Sequence, residues 1–169
     1  MRNKITSLLI EEKADQRIQF YLSLDLLKVN RACVCQDNTT DAFAWLKRNT
    51  GFVPDYIFIS SAIPVAHAAL FIRQLRQLKG MATVPVLHFA APKEQLSAFE
   101  LNATGFTDCL VKQPDIYYLR DALKVIFEKD YHLAKTTEEV PMLNNVASRI
   151  REMMENSVTA IEAPRRLSA

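Results

Sequence analysis

Five short apolar runs recur along the chain, and each is followed by a segment in which apolar residues return at three- and four-residue intervals. The most demanding run is Tyr56-Ile-Phe-Ile59, apolar at every position, which is the pattern of a central parallel strand covered on both faces. Ile5 to Ile10 reads as a first strand, and Ala14 to Lys28 as a helix with Ile18, Tyr21, Leu22 and Leu26 at helical spacing. Arg31 to Cys35 is a second short strand. Thr39 or Thr40 is expected to cap a helix over Asp41 to Arg48 whose inward face is Ala42, Trp45 and Leu46. Pro64 introduces a helix to about Leu78, ended by Gly80. Val84 to Phe89 is a fourth strand, with Pro85 tolerable only near its start. Pro92 suits the first position of a helix whose buried stripe is expected at Leu96, Phe99 and Ala103. Thr107 to Val111 is the fifth strand. Pro114 then opens a helix carrying Ile116, Leu119, Leu123, Ile126 and Phe127.

Strands alternating with helices predict a parallel sheet wrapped on both faces, joined by right-handed crossovers. Ligands of such sheets sit at the carboxyl ends of the strands. The residues there are Glu11 and Glu12 after the first strand, Ser60 after the third, Ala90 and Ala91 after the fourth, and Lys112 after the fifth.

These positions resemble the receiver domains of two-component response regulators, in register from about Ile5 to His132. Leu8-Leu-Ile-Glu-Glu-Lys-Ala-Asp-Gln-Arg17 is similar to the family's opening acidic pair. Pro54-Asp-Tyr-Ile-Phe-Ile-Ser-Ser-Ala-Ile-Pro64 is similar to its third-strand motif, with Ser60 where the phosphoacceptor aspartate is expected. Val84-Pro-Val-Leu-His-Phe-Ala-Ala91 resembles the fourth strand, with Ala90 replacing a hydroxyl residue. Gly105-Phe-Thr-Asp-Cys-Leu-Val-Lys112 resembles the fifth, with the lysine kept, Cys109 at the aromatic switch position, and Gln113 displacing the usual proline to Pro114. The resemblance implies a flavodoxin-like (βα)5 fold with strand order 2-1-3-4-5, and a degenerate receiver rather than an enzyme.

In the family the acidic pair and the aspartate hold Mg²⁺, while the hydroxyl and the lysine bind the phosphoryl group. Mg²⁺ asks for hard oxygen ligands in near-octahedral geometry. Serine without an adjacent base is a weak nucleophile. No cofactor is therefore expected, with Mg²⁺ possible only if Glu11 and Glu12 suffice. Lys112 is expected instead to pair with one of those glutamates. The rival readings are an atypical Mg²⁺-dependent phosphoacceptor and a small-molecule sensor using the vacated pocket. The resemblance implies action on signalling partners, a histidine kinase or a downstream component, through the fourth helix, fifth strand and fifth helix, where Tyr117 and Tyr118 lie.

Other chemistries find little support. With only Gly51, Gly80 and Gly105, the chain has no glycine-rich loop after its first strand. No Gly-x-Ser-x-Gly elbow is present. A net charge of +2 gives no broad cationic field for nucleic acid. The three histidines show no metal-ligand spacing. Cys33 and Cys35 are expected to diverge and to serve as small buried hydrophobes. No apolar run approaches the roughly 18 residues of a membrane span, and the N-terminal run is too short for a secretory signal, so a cytoplasmic location is expected.

The receiver-like domain is placed at residues 1–132 and a polar hinge at 133–140. An amphipathic helix with Leu143, Val146, Ile150 and Met153 on one stripe follows at 141–160, and a frayed end at 161–169. That stripe either docks on its own domain or pairs with a second copy or partner, since an isolated helix of this length is marginal in water.

Overall fold

The computed structural model describes residues 3–131. The expectations for the hinge and for Leu143, Val146, Ile150 and Met153 fall outside these residues. The elements are β1 (Ile5–Ile10), α1 (Ala14–Leu26), β2 (Asn30–Gln36), α2 (Thr39–Arg48), β3 (Tyr56–Ser60), α3 (Val65–Leu75), β4 (Val86–Ala90), a 3-10 turn at Pro92–Glu94, α4 (Ala98–Thr104), β5 (Asp108–Val111) and α5 (Ile116–Glu128). All four strand pairings are parallel and the order is β2-β1-β3-β4-β5. This is the expected order.

The two faces of the sheet follow from the strand period. Leu8, Ile10, Ile57, Ile59 and Val86 point to one side, where Ala42, Leu46, Ala68, Phe71, Ile72 and Leu75 of α2 and α3 cover them. On the other side Phe20 of α1 meets Phe58 edge-on at 4.9 Å and Phe89 at 5.6 Å. Phe127 of α5 lies 5.0 Å from Tyr56. Ser23 ties these two helices together, its hydroxyl donating to the Ile116 carbonyl at 3.0 Å.

Several local expectations are corrected. In α1 the apolar residues Ile18, Tyr21, Leu22 and Leu26 are all exposed, Ile18 by 59%, and the helix instead buries Phe20, Ser23 and Leu24. It also ends two residues early, at Leu26, before Lys28 adopts a positive φ of 56°. The cap of α2 is Asn38, not a threonine: its extended backbone lets the side-chain carbonyl accept the Asp41 N–H at 2.8 Å. The helix α3 stops at Leu75, where Arg76 turns back to donate to the carbonyls of Met81 at 2.9 Å and Val84 at 2.7 Å.

The largest departure is at α4. Pro92 opens only a single 3-10 turn, and the helix begins six residues later behind a reciprocal cap. Ser97 accepts the Glu100 N–H at 3.2 Å, and the Glu100 carboxylate accepts the Ser97 N–H at 2.7 Å. Phe99 is 80% exposed and Ala103 is exposed, while Thr104 is buried and Leu101 packs against the core. Gly105 closes the helix at φ +103°, and a Cβ there would stand 3.0 Å from the Ile72 side chain.

The two cysteines of β2 do not diverge. Residues two apart on a strand share a face, and Cys35 is exposed rather than buried.

Candidate functional site

The strand ends bring together three of the residues singled out from the sequence. The backbone N–H of Glu11 donates to the Gln36 carbonyl at 2.9 Å, which prolongs the β1–β2 ladder by one residue. Its side chain is thereby held inside the sheet's end, fully buried. Glu12 lies beyond the ladder and is exposed. From β5, the Lys112 N–H donates to the Ala90 carbonyl at 2.7 Å, which fixes the root of the lysine beside β4.

The Lys112 ammonium then reaches across the pocket. It donates to Glu11 Oε2 at 2.8 Å and to Ser60 Oγ at 2.9 Å, and stands 5.2 Å from the centre of the Phe89 ring. Its side chain is 13% exposed and that of Glu11 not at all. Glu11 Oε1 accepts the Lys13 N–H at 3.0 Å, and Ser60 Oγ accepts the Ala62 N–H at 3.2 Å. Burial pushes the Glu11 carboxyl up, but Lys112, the Lys13 N–H and the Ser60 hydroxyl together outweigh it and hold the carboxyl below its ordinary value. The carboxylate is therefore ionised and neutralised within the protein.

Ser60 is engaged on every side. Both its acceptor positions are taken, by Lys112 and by Ala62, and its hydroxyl also stabilises Glu11. Ala90 is buried and offers only its backbone. Beside this cluster Ser61 joins two loops: its hydroxyl donates to Glu94 at 2.5 Å and accepts the Ala91 N–H at 3.0 Å. Arg17 of α1 forms an ion pair with Asp37, on the loop after β2.

The donor set does not meet what Mg²⁺ requires. One carboxylate is committed to an ammonium, the second acid is outside the pocket, and the third position is a hydroxyl already in use. Among the described residues no group of three or more His, Cys, Asp or Glu side chains is placed to hold a metal ion.

Cys109, at the expected switch position, pairs in register with His88 and is half-buried; burial first, then Asp108, pushes its thiol up. His88 is itself buried against the Phe106 ring at 4.8 Å, and desolvation pulls its imidazole down. Tyr117 and Tyr118 are exposed near the start of α5, where Asp115 caps the helix through the N–H groups of both. They lie with Phe99 on the helices that flank the edge strand β5.

Two contributors to the site escaped the sequence reading. Phe89 read only as a strand residue, because its ring meets the Lys112 ammonium only once β4 and β5 are paired. Glu94 sits in a turn that the sequence suggested was helix.

No family model and no curated protein matches the sequence. Solved structures do match. Response regulator CheY4 of Vibrio cholerae is 18% identical and superposes with a TM-score of 0.58, covering 73% of this chain and 99% of that one. A CheY-like receiver domain from Methylobacillus flagellatus is 22% identical, with a TM-score of 0.56 and coverages of 73% and 99%. The phosphorylated cyanobacterial phytochrome response regulator RcpA is 15% identical, with a TM-score of 0.60 and coverages of 74% and 92%. No helix of the described residues is long and apolar enough to cross a membrane. With its strand order of 2-1-3-4-5 and its alternating helices, this chain has the flavodoxin-like fold of response-regulator receiver domains.

Proposed function

We propose that the chain is a non-phosphorylatable, receiver-like module of a two-component-type signalling system that acts in the cytoplasm by binding other proteins. The observation that carries this reading is the closed triad of Glu11, Ser60 and Lys112, in which the ammonium that would meet a phosphoryl group is already neutralised at 2.8 Å. A phosphoryl donor offered to this pocket meets an occupied hydroxyl in place of a carboxylate. Mg²⁺ would have to displace Lys112 from Glu11 to gain even one anionic ligand. The exposed aromatic residues Phe99, Tyr117 and Tyr118 support protein binding, because they lie on the two helices that flank edge strand β5 and large exposed apolar groups mark interaction sites. The partner is a histidine kinase or a downstream signalling component.

The deciding experiment adds Mg²⁺ and beryllofluoride to the intact chain while amide spectra are recorded. The expected result is an unchanged spectrum around Ser60 and Lys112. Saturable shifts at those two residues would refute the reading.

A further inference from the structure

On the face of the sheet opposite α1, the helices α2 and α3 lie side by side over the core. Between them is a cavity of about 340 Å³ that shares no residue with the Lys112 cluster. Small-molecule sites begin at roughly 300 Å³. The middle of the cavity is apolar, with Phe71 only 1% exposed and Phe43 and Leu70 beside it. At one end its lining is polar: Thr39 and Thr40 open α2, and His67 stands in the first turn of α3. Thr39 is 8% exposed, yet its hydroxyl has no hydrogen-bond partner among the described residues. Buried polar groups are nearly always paired, so an unpaired buried hydroxyl lining a cavity is a donor left for a ligand.

We propose that the groove between α2 and α3 binds a small aromatic carboxylate. Its ring lies on Phe71 between Phe43 and Leu70, and its carboxylate accepts from the Thr39 and Thr40 hydroxyls with the His67 imidazole alongside. The site is one of binding only, and no bond is made or broken there.

Three features select an anion over a neutral or cationic ligand. No lining residue of the cavity is acidic. Asp41, the one acid in the first turn of α2, is two residues from both Thr39 and Phe43, so it lies about 160° around the helix from each. Its carboxylate also accepts from the Asn38 amide at 2.9 Å, outside the groove. Second, Thr39 and Thr40 stand at the positive end of the α2 dipole, which favours negative charge within the first turn. Third, the nearest ammonium on this face of α2 is that of Lys47, one turn beyond Phe43 and 5.6 Å from the centre of its ring. It forms no ion pair among the described residues. An aromatic body is selected by shape, because Thr39, Phe43 and Lys47 at four-residue spacing, and His67, Leu70, Phe71 and Gln74 opposite, make two walls with their apolar residues level with each other.

The test titrates the intact chain with naphthoate, and separately with naphthamide, while amide spectra are recorded. The expected result is saturable shifts at Thr39, Thr40, Phe43, His67, Leu70 and Phe71, with a Kd of about 0.1–1 mM for a ligand of this size. Naphthamide, which has the same ring and no charge, is expected to bind about tenfold more weakly. Thr39→Val keeps the shape of the side chain and removes only the unpaired hydroxyl. It should weaken naphthoate about tenfold while the thermal melt of the free chain stays the same or rises, a combination that a merely structural threonine would not give. The titration of the unmutated chain needs no variant to fold. Absence of saturable shifts, shifts centred on Ser60 and Lys112 instead, equal binding of naphthamide, or unchanged naphthoate affinity in Thr39→Val would each overturn the proposal. None of these outcomes except shifts at Ser60 and Lys112 bears on the closed triad.

Discussion

Replacing Lys112 by methionine keeps the stem of the side chain and removes only the charge that neutralises Glu11. The carboxylate is fully buried and the ammonium nearly so, so solvent screens little of what is lost. Removing one partner of such a buried pair costs about 3–5 kcal/mol, because the other charge is left uncompensated. With a urea slope of about 2 kcal/mol/M for a domain of this size, the unfolding midpoint is expected to fall by about 2 M. The pH dependence gives the sharper test. In the unmutated chain the Glu11 carboxyl lies below 4.5, so it adds stability above that value and loses the contribution as pH falls through its lower folded value. In Lys112→Met the largest influence opposing burial is gone, so the folded carboxyl rises from its place in the unmutated chain. The deficit of the variant is then largest near neutrality and shrinks as pH falls through the variant's folded value, where the acid protonates. Urea melts at several pH values, with Glu11→Gln/Lys112→Met as the paired control, would measure it. The double variant is expected to be more stable than Lys112→Met alone. A deficit under about 1 kcal/mol, the range of exposed pairs, or one that does not change with pH, would refute the closed-pair account.

Further outcomes follow from the rest of the structure. Ser97→Ala removes half of the reciprocal cap on α4 and should cost about 1 kcal/mol, seen as faster amide exchange confined to Ala98–Thr104. Gly105→Ala must hold a side chain at φ +103° with its Cβ 3.0 Å from Ile72, and is expected to lower stability by about 1–3 kcal/mol in a thermal or urea melt. Phe99→Ser, at a residue 80% exposed, should leave the melt within about 0.5 kcal/mol of the unmutated chain. The same substitution should weaken capture of a signalling partner in a pull-down if α4 belongs to the binding face.

Much of the architecture was legible in the chain because strand and helix periods differ. The unbroken apolar run of β3 could be satisfied only at the centre of a two-faced sheet, and the short runs on either side placed the remaining strands to within a residue or two. The spacing of Ala42, Trp45 and Leu46 and of Leu119, Leu123 and Ile126 also identified buried faces correctly. The shared face of Cys33 and Cys35 was equally open to the period-two rule, which places residues two apart on the same side.

What the sequence by itself determined was the order of elements, and hence which residues stand at the carboxyl ends of the strands. Tertiary structure decided how those residues are used. Periodicity shows that a helix has an apolar stripe but not which neighbour covers it, so α1 exposes Ile18, Tyr21, Leu22 and Leu26 and buries Phe20 where the sheet and α5 meet it. A capping box outweighed the proline signal at α4 because it satisfies two backbone donors at once. Of two adjacent glutamates, only the one held by the β2 ladder enters the pocket. Its pairing with Lys112, 101 residues away in sequence, exists only because parallel strands bring their ends together.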